Sequence, residues 1–302
     1  MRRGRVRRPG SWVAGVVAVG VLVVGVSGCS GRDSGTAVEG VGGGPLTGAD
    51  RSPSRPTTPD PAAPLAAPPA DTRGVPLKAY TRWGLPKPLA PLPAKPDRTP
   101  VLRASGPPVV LDRVRTRDKV VFLTFDDGAE KDPAFVRMVR ELKLPISMFL
   151  TDSVAGSDYG HFEQLRDAGG GTVQNHTTGH ENLRTLSYEG QRAQICGQQD
   201  RLQSRFGKRP TLFRPPYGNY NADTVRAAGS CGVKALVLWR ESMQIHNMRY
   251  SEGDRLKPGD IVLAHFRGPA ELKGSTITEM TTRMLRRIQD QGFTVARLED
   301  YL

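Results

Sequence analysis

From about residue 105 onward, apolar residues fall into two alternating patterns. Short runs rich in β-branched and aromatic types read as strands. They are Lys119–Leu123, Ile146–Leu150, Thr172–Gln174, Thr211–Phe213, Val233–Trp239, Asp260–His265 and Phe293–Ala296. Between them lie stretches that read as helices: Asp132–Lys143, Asp158–Ala168, Ser187–Phe206, Ala222–Ala228 and Thr276–Gln291. Their ends carry helix punctuation. Asp132 is an N-cap before Pro133, Gly169–Gly171 stops the second helix, and Ser187, Glu189 and Gly207 bracket the third. This regular β–α alternation predicts one α/β domain over residues 105–302, built on a parallel sheet or barrel.

The first third of the chain reads differently. Residues 1–28 have the form of an export signal: Arg2 to Arg8 are the positive region, and Trp12 to Val26 an apolar stretch too short for a comfortable membrane span. The stretch ends in Val26–Ser27–Gly28–Cys29, which is similar to a lipobox and marks Cys29 for lipidation. Such an anchor would hold the protein on a membrane. Residues 29–104 are Gly-rich and then Pro-rich, with 14 of the 25 prolines between 51 and 100. That composition buries no core and predicts a disordered tether. Tyr80, Trp83 and Leu85 are its exceptions, and they are expected to dock the tether's end onto the domain.

The formal charge is +13, which suits an anionic wall polymer or membrane surface and, equally, nucleic acid. No recognition helix, zinc-finger spacing or aromatic stacking motif accompanies it, so nucleic acid is not the expected partner. Of the three cysteines, Cys196 and Cys231 remain after Cys29, and an exported protein is expected to pair them.

The candidate chemistry sits at the ends of the strand runs. The first run continues into Thr124–Phe125–Asp126–Asp127–Gly128. Two adjacent carboxylates at the end of a buried strand are costly unless they are used. His176 and His180, spaced i, i+4, would share one face of a helical turn and suit a divalent metal. With no Glu between them, any base comes from elsewhere. One aspartate can be the third ligand and the other the base. In Arg214–Pro215–Pro216–Tyr217–Gly218, Arg214 can hold a carboxylate and keep its pKa low. Tyr217 brings the first N–H after two prolines. His265 closes Ile261–Val262–Leu263–Ala264–His265.

Taken in order, TFDDG, HTTGH, RPPYG and IVLAH resemble the motifs of the polysaccharide deacetylase family, the NodB-like carbohydrate esterases, over roughly residues 119–302. The resemblance implies a distorted (β/α) barrel. It implies a metal-dependent hydrolase that removes N-acetyl or O-acetyl groups from an envelope or extracellular polysaccharide. Asp126 would be the base that activates metal-bound water. Asp127, His176 and His180 would hold the metal, zinc first and cobalt or nickel next. Arg214 would orient Asp126, Tyr217 would supply an oxyanion N–H, Leu263 would line the acetyl pocket, and His265 would be the general acid. The expected partners are peptidoglycan or another N-acetylglucosamine polymer, and a membrane through Cys29. The expected location is the outer face of the cell membrane, or secretion.

One motif of the family is missing. Where an Asp and then an Asp-Trp pair usually follow the strand before the last histidine, this chain reads Val237 to His246 with no Asp. Glu241 is the expected substitute for the Asp that tunes His265, and Trp239 or Met243 for part of the pocket wall. The alternative is a non-catalytic, wall-associated glycan-binding lipoprotein on the same fold.

Overall fold

The computed structural model describes residues 73–96, 102 and 106–302. The export signal, Cys29 and most of the 29–104 tether lie outside the described residues. In chain order the elements are α1 (Leu77–Arg82), β1 (Val109–Leu111), β2 (Val120–Asp127), α2 (Pro133–Leu142), β3 (Ser147–Leu150), α3 (Asp152–Ala155), α4 (Tyr159–Gly169), β4 (Thr172–Asn175) and α5 (Tyr188–Phe206). There follow β5 (Leu212–Phe213), α6 (Ala222–Ser230), β6 (Ala235–Val237), β7 (Glu241–Met243), β8 (Met248–Tyr250), β9 (Asp260–His265), α7 (Ile277–Asp290) and β10 (Thr294–Val295).

The strands form one sheet in the order β1-β6-β5-β4-β3-β2-β9-β7-β8, with β10 also paired to the start of β2. Every pair is parallel except the β7–β8 hairpin. The segment 235–243 pairs with β5 at its start and with β9 at its end, so the sheet curls back on itself as a distorted barrel. The hydrophobic pattern predicts one strand over 233–239 and none over the residues that follow. The run in fact ends its pairing with β5 at Leu236 and with β1 at Val237, and resumes at Glu241 beside β9.

Strand alternation sorts the core into two layers. Val121, Leu123 and Phe125 of β2 face the helices together with Phe135, Val139, Met284 and Leu285. Val120 and Phe122 face the inside of the curled sheet with Phe149, Ile261, Tyr301 and Leu302. The C-terminal residues thus fill the barrel's lower end, where the Phe122 and Tyr301 rings meet edge-on at 5.2 Å. Glu299 closes the floor, accepting hydrogen bonds from Ser147 Oγ, Thr172 Oγ1 and Gln174 Nε2.

The domain begins earlier than residue 105. Tyr80, Leu85 and Leu89 are buried in the helix-side core and Trp83 packs against it, so the docking expected of Tyr80, Trp83 and Leu85 is seen and only the boundary at residue 104 falls too late. The strap is pinned by long-range bonds: Trp83 Nε1 donates to Glu141 at 2.9 Å, Arg286 Nε to Gly84 O at 2.9 Å, and Lys95 pairs with Asp300 at 2.8 Å. A few large apolar residues among many prolines suffice because the domain supplies the rest of the core. No helix among the described residues is long and apolar enough to cross a membrane.

Cys196 on α5 is bonded to Cys231 at the end of α6, with Cα atoms 5.0 Å apart and a sequence separation of 35. A loop of that length corresponds to about 3–4 kcal/mol in the chain-entropy description of cross-links. Non-reducing peptide mapping is expected to find the two cysteines linked, and Cys196→Ser/Cys231→Ser to melt at lower temperature. Two freely alkylated thiols in the folded, purified protein would contradict both expectations.

Candidate metal centre and its proton-transfer groups

Asp126 and Asp127 stand on β2 next to His265, since Asp126 pairs in register with His265 of β9 and with Phe149 of β3. Alternation alone would send the two carboxylates to opposite faces, Asp126 inward with Thr124 and Asp127 outward with Phe125. Asp127 escapes this because its φ is 75°, in the left-handed region that costs a non-glycine residue energy. Gly128 follows at φ 93°, and a Cβ there would fall 2.7 Å from the Ala155 side chain. Only glycine fits this close approach, and the kink it permits swings Asp127 round to Asp126's side.

His176 and His180 arrive on the loop after β4. This loop is not helical, contrary to the reading of the i, i+4 spacing: Thr177 and His180 have φ of 74° and 61°. The loop is instead shaped by polar groups beneath it. Thr151 Oγ1 donates to His176 O, Asn175 Oδ1 accepts from Thr177 N, and Gln194 Oε1 accepts from Thr178 Oγ1 and Gly179 N. Gln198 and Gln199 of α5 are fully buried and tie Leu150 O and Asn175 to the same helix. These glutamines were missed. The available signal was their spacing, since Gln191, Gln194 and Gln198 recur on one face of α5.

Asp127 Oδ1 lies 3.3 Å from His180 Nε2 and 3.6 Å from His176 Nε2. Ligand atoms from the three residues all fall within 4.8 Å of one another. Asp127 Oδ1 is buried with no hydrogen-bond partner. His176 Nδ1 is 2.7 Å from Arg214 O and donates to it, which turns Nε2 toward the aspartates. Burial drives the His176 pKa down to about 3, so the ring is neutral. Burial works against charge on Asp127, but the imidazoles of His180 and His176 beside it hold its pKa at about 2. Two neutral-capable imidazoles and one carboxylate whose Oδ1 is orphaned are a donor set that fits a divalent ion with an open position.

Asp126 is not in that triad, though its Oδ2 is only 3.7 Å from His176 Nε2. Its Oδ1 accepts from Arg214 Nη1 at 2.6 Å. Arg214 is fully buried, with Nε on Val237 O, Nη1 also on Thr124 Oγ1, Nη2 on Leu238 O, and its guanidinium 4.3 Å from the Phe149 ring centroid. Sequence reasoning expected Arg214 to keep this carboxyl's pKa low. Burial outweighs Arg214 and His265, and the Asp126 pKa is raised.

Tyr217 has φ 60° in the turn after β5, where Gly218 N and Asn219 N close hydrogen bonds back to Pro215 and Pro216. Its ring is exposed and packs edge-on to His180 at 4.8 Å. Trp239 packs on the same turn, where a Cβ on Gly218 would lie 3.1 Å from the indole. Leu263 and His265 share the inner face of β9. Burial lowers the His265 pKa, Asp126 and Asp127 pull it back up, and Arg267 and His176 lower it further.

Glu241 does not reach His265. It pairs with Val262, three residues earlier on β9, and lies buried beside Asp260. Asp260 is itself held by Arg113 Nε at 2.5 Å and Lys257 N at 2.6 Å. Burial and then Asp260 push the Glu241 pKa up to about 7. Between the ordinary carboxyl value and 7 the folded protein therefore binds more protons than the unfolded chain. Glu241 accordingly costs stability progressively as pH rises through that window. Glu241→Gln is expected to raise the melting temperature at pH 8 and to change it little at pH 5. An equal shift at both pH values would show that Glu241 does not titrate in this range.

Comparison with known proteins agrees with the geometry. The family model described as polysaccharide deacetylase matches residues 113–236. An uncharacterised protein of Streptomyces coelicolor is 52% identical over 65% of this chain and 78% of its own length. A Bacillus subtilis protein named peptidoglycan-N-acetylmuramic acid deacetylase is 30% identical over 63% of this chain, which spans 40% of that longer protein. Among solved structures, a family 4 carbohydrate esterase pseudoenzyme from Bacillus anthracis superimposes with a TM-score of 0.52 at 22% identity. The match covers 62% of this chain and 66% of that one, and it shows the fold alone.

Proposed function

This chain belongs to the polysaccharide deacetylase family, and from that premise we propose that it is a metal-dependent N-deacetylase of an envelope glycan, peptidoglycan or another N-acetylglucosamine polymer. The observation that carries the reading is the separation of roles at β2. Asp126 is paired with Arg214 and stands beside, but outside, the Asp127–His176–His180 triad. A glycan-binding module needs neither a buried carboxylate base nor an orphaned ligand oxygen.

A divalent ion held by Asp127, His176 and His180, zinc first and cobalt or nickel next, would polarise the acetyl carbonyl and ease deprotonation of water. Asp126, its pKa raised by burial, takes the proton of the attacking water. Arg214 holds that carboxylate in place. The Tyr217 N–H donates to the oxygen that becomes negative as the carbonyl turns tetrahedral. His265 gives a proton to the departing nitrogen, and Leu263 and Trp239 line the acetyl methyl. We further propose export as a lipoprotein through Cys29, facing the wall.

The departure at His265 favours one second reading. Among the described residues no carboxylate takes the place of the missing Asp, so a slow or non-catalytic glycan-binding protein is the competitor. Acetate release from peptidoglycan, chitin oligomers and acetylated xylan, with and without added zinc, separates the two. The deacetylase reading expects zinc-dependent acetate from the N-acetylated glycans. Binding without release would favour the competitor.

A further inference from the structure

The extended course of β9 continues past His265. Phe266 N donates to Asp126 O at 3.1 Å, and Phe266 O accepts from Glu130 N at 3.1 Å. Ala264 and Phe266 are both fully buried in the helix-side core. Strand alternation therefore places Ile261, Leu263, His265 and Arg267 on the opposite, inner face. Arg267 is partly buried there, close enough for its charge to act on His265.

The other cations around this end of the barrel are committed. Arg214 is spent on Asp126, and the Lys131 amine on the carbonyls of Gly128, Ala129 and Val154. Arg201 pairs with Asp152. Arg267 makes no hydrogen bond or ion pair with any described residue. Glu130 is near in the chain fold, but its carboxylate bonds to Lys131 N and lies over Gly268. A half-buried guanidinium that no side chain has engaged is available to an incoming anion, and its planar fork matches a carboxylate.

We infer that Arg267 is a substrate-binding residue that selects acetamido sugars bearing a carboxylate close to the acetamide over neutral ones. The inference rests on the deacetylase reading above and deepens it. An approaching carboxylate meets Arg267 on the side where His265 faces the reacting nitrogen, so one contact both recognises the sugar and fixes its register.

The test compares wild type, Arg267→Gln and Arg267→Lys on two zinc-dependent assays. One substrate is a peptidoglycan oligosaccharide stripped of its stem peptides, whose muramic residues then carry a free lactyl carboxylate; the other is a chitin oligomer of equal length. Arg267→Gln is expected to raise KM on the first by about 10-fold or more, the scale of a lost charge-assisted hydrogen bond. It should leave the chitin oligomer within about 2-fold, with Arg267→Lys in between. Equal losses on both substrates, or a shifted pH profile on both, would make Arg267 a positioning group for His265 and overturn the assignment. Calorimetric binding of the two deacetylated products, which do not react, gives a readout that does not need turnover. If no glycan yields acetate, the deacetylase reading fails. Affinity for the carboxylate-bearing product that Arg267→Gln weakens would still support the site, and affinity indifferent to the substitution would overturn it.

Discussion

Asp126→Asn is expected to lower acetate release by about 10²–10⁴-fold while the protein still binds its metal, because general-base assistance is worth that much and the ligand triad is left whole. His176→Ala is expected to lose both. It removes one of three ligands and the ring that Arg214 O orients, so stoichiometric zinc should disappear from the purified protein. Zinc content and initial rates on the same samples check the contrast. Both variants must first be shown folded by circular dichroism, since Asp126→Asn leaves the Arg214 charge without its partner. Wild-type-like rates for Asp126→Asn, or full zinc in His176→Ala, would break the division between base and ligand.

Arg214→Met is expected to destabilise the domain by about 3–5 kcal/mol, the usual consequence of removing one member of a buried ion pair. The guanidinium is surrounded: it reaches Asp126, Thr124 and the carbonyls of Val237 and Leu238, and it stacks on Phe149. Methionine fills much of the volume but satisfies none of these acceptors. Asp126 would then sit buried without a cation, its pKa raised further. The folded state would bind a proton that the unfolded chain releases, so the deficit should grow as pH rises above the ordinary carboxyl value. Urea titrations at pH 5 and pH 8 measure it. Adding Asp126→Asn to Arg214→Met should recover part of the loss, because the stranded charge is gone. Arg214→Lys should not rescue the wild-type stability, since one ammonium cannot span acceptors on β2 and on the 237–238 backbone together. Stability loss independent of pH would mean that Arg214 acts by packing alone.

The fold was legible where one strand or helix announces itself locally. The N-caps at Asp132, Ser187 and Thr276 and the left-handed stop at Gly207 stand where the side-chain chemistry put them, within a residue of the expected helix ends. The β7–β8 hairpin was not legible. Its two three-residue strands are too short for a period-two pattern, and Glu241 is buried there against the usual preference of a carboxylate. The strap at 73–96 was legible only in part: Tyr80, Trp83 and Leu85 stand out as docking residues, but prolines dominate the local composition and the partners lie on α2 and α7 about 60 to 200 residues away.

The sequence by itself determined which groups this protein has to work with. It fixed a carboxylate doublet, two histidines four apart, an arginine before two prolines and a histidine at the end of a strand, each tied to a β–α boundary. Tertiary structure decided which of them meet. Parallel register set Asp126 beside His265, and the curl of the sheet brought Arg214 across to Asp126. The left-handed residue at Asp127, tolerated because Gly128 lets the chain pass close to Ala155, put two neighbouring side chains on one side of a strand that should have separated them. The same register carried Glu241 to the level of Val262, three residues short of His265. Local pattern encodes the alternation of faces, but pairing between distant strands sets the level at which each face stops. That level is fixed by packing across the whole barrel, which no short window of sequence contains.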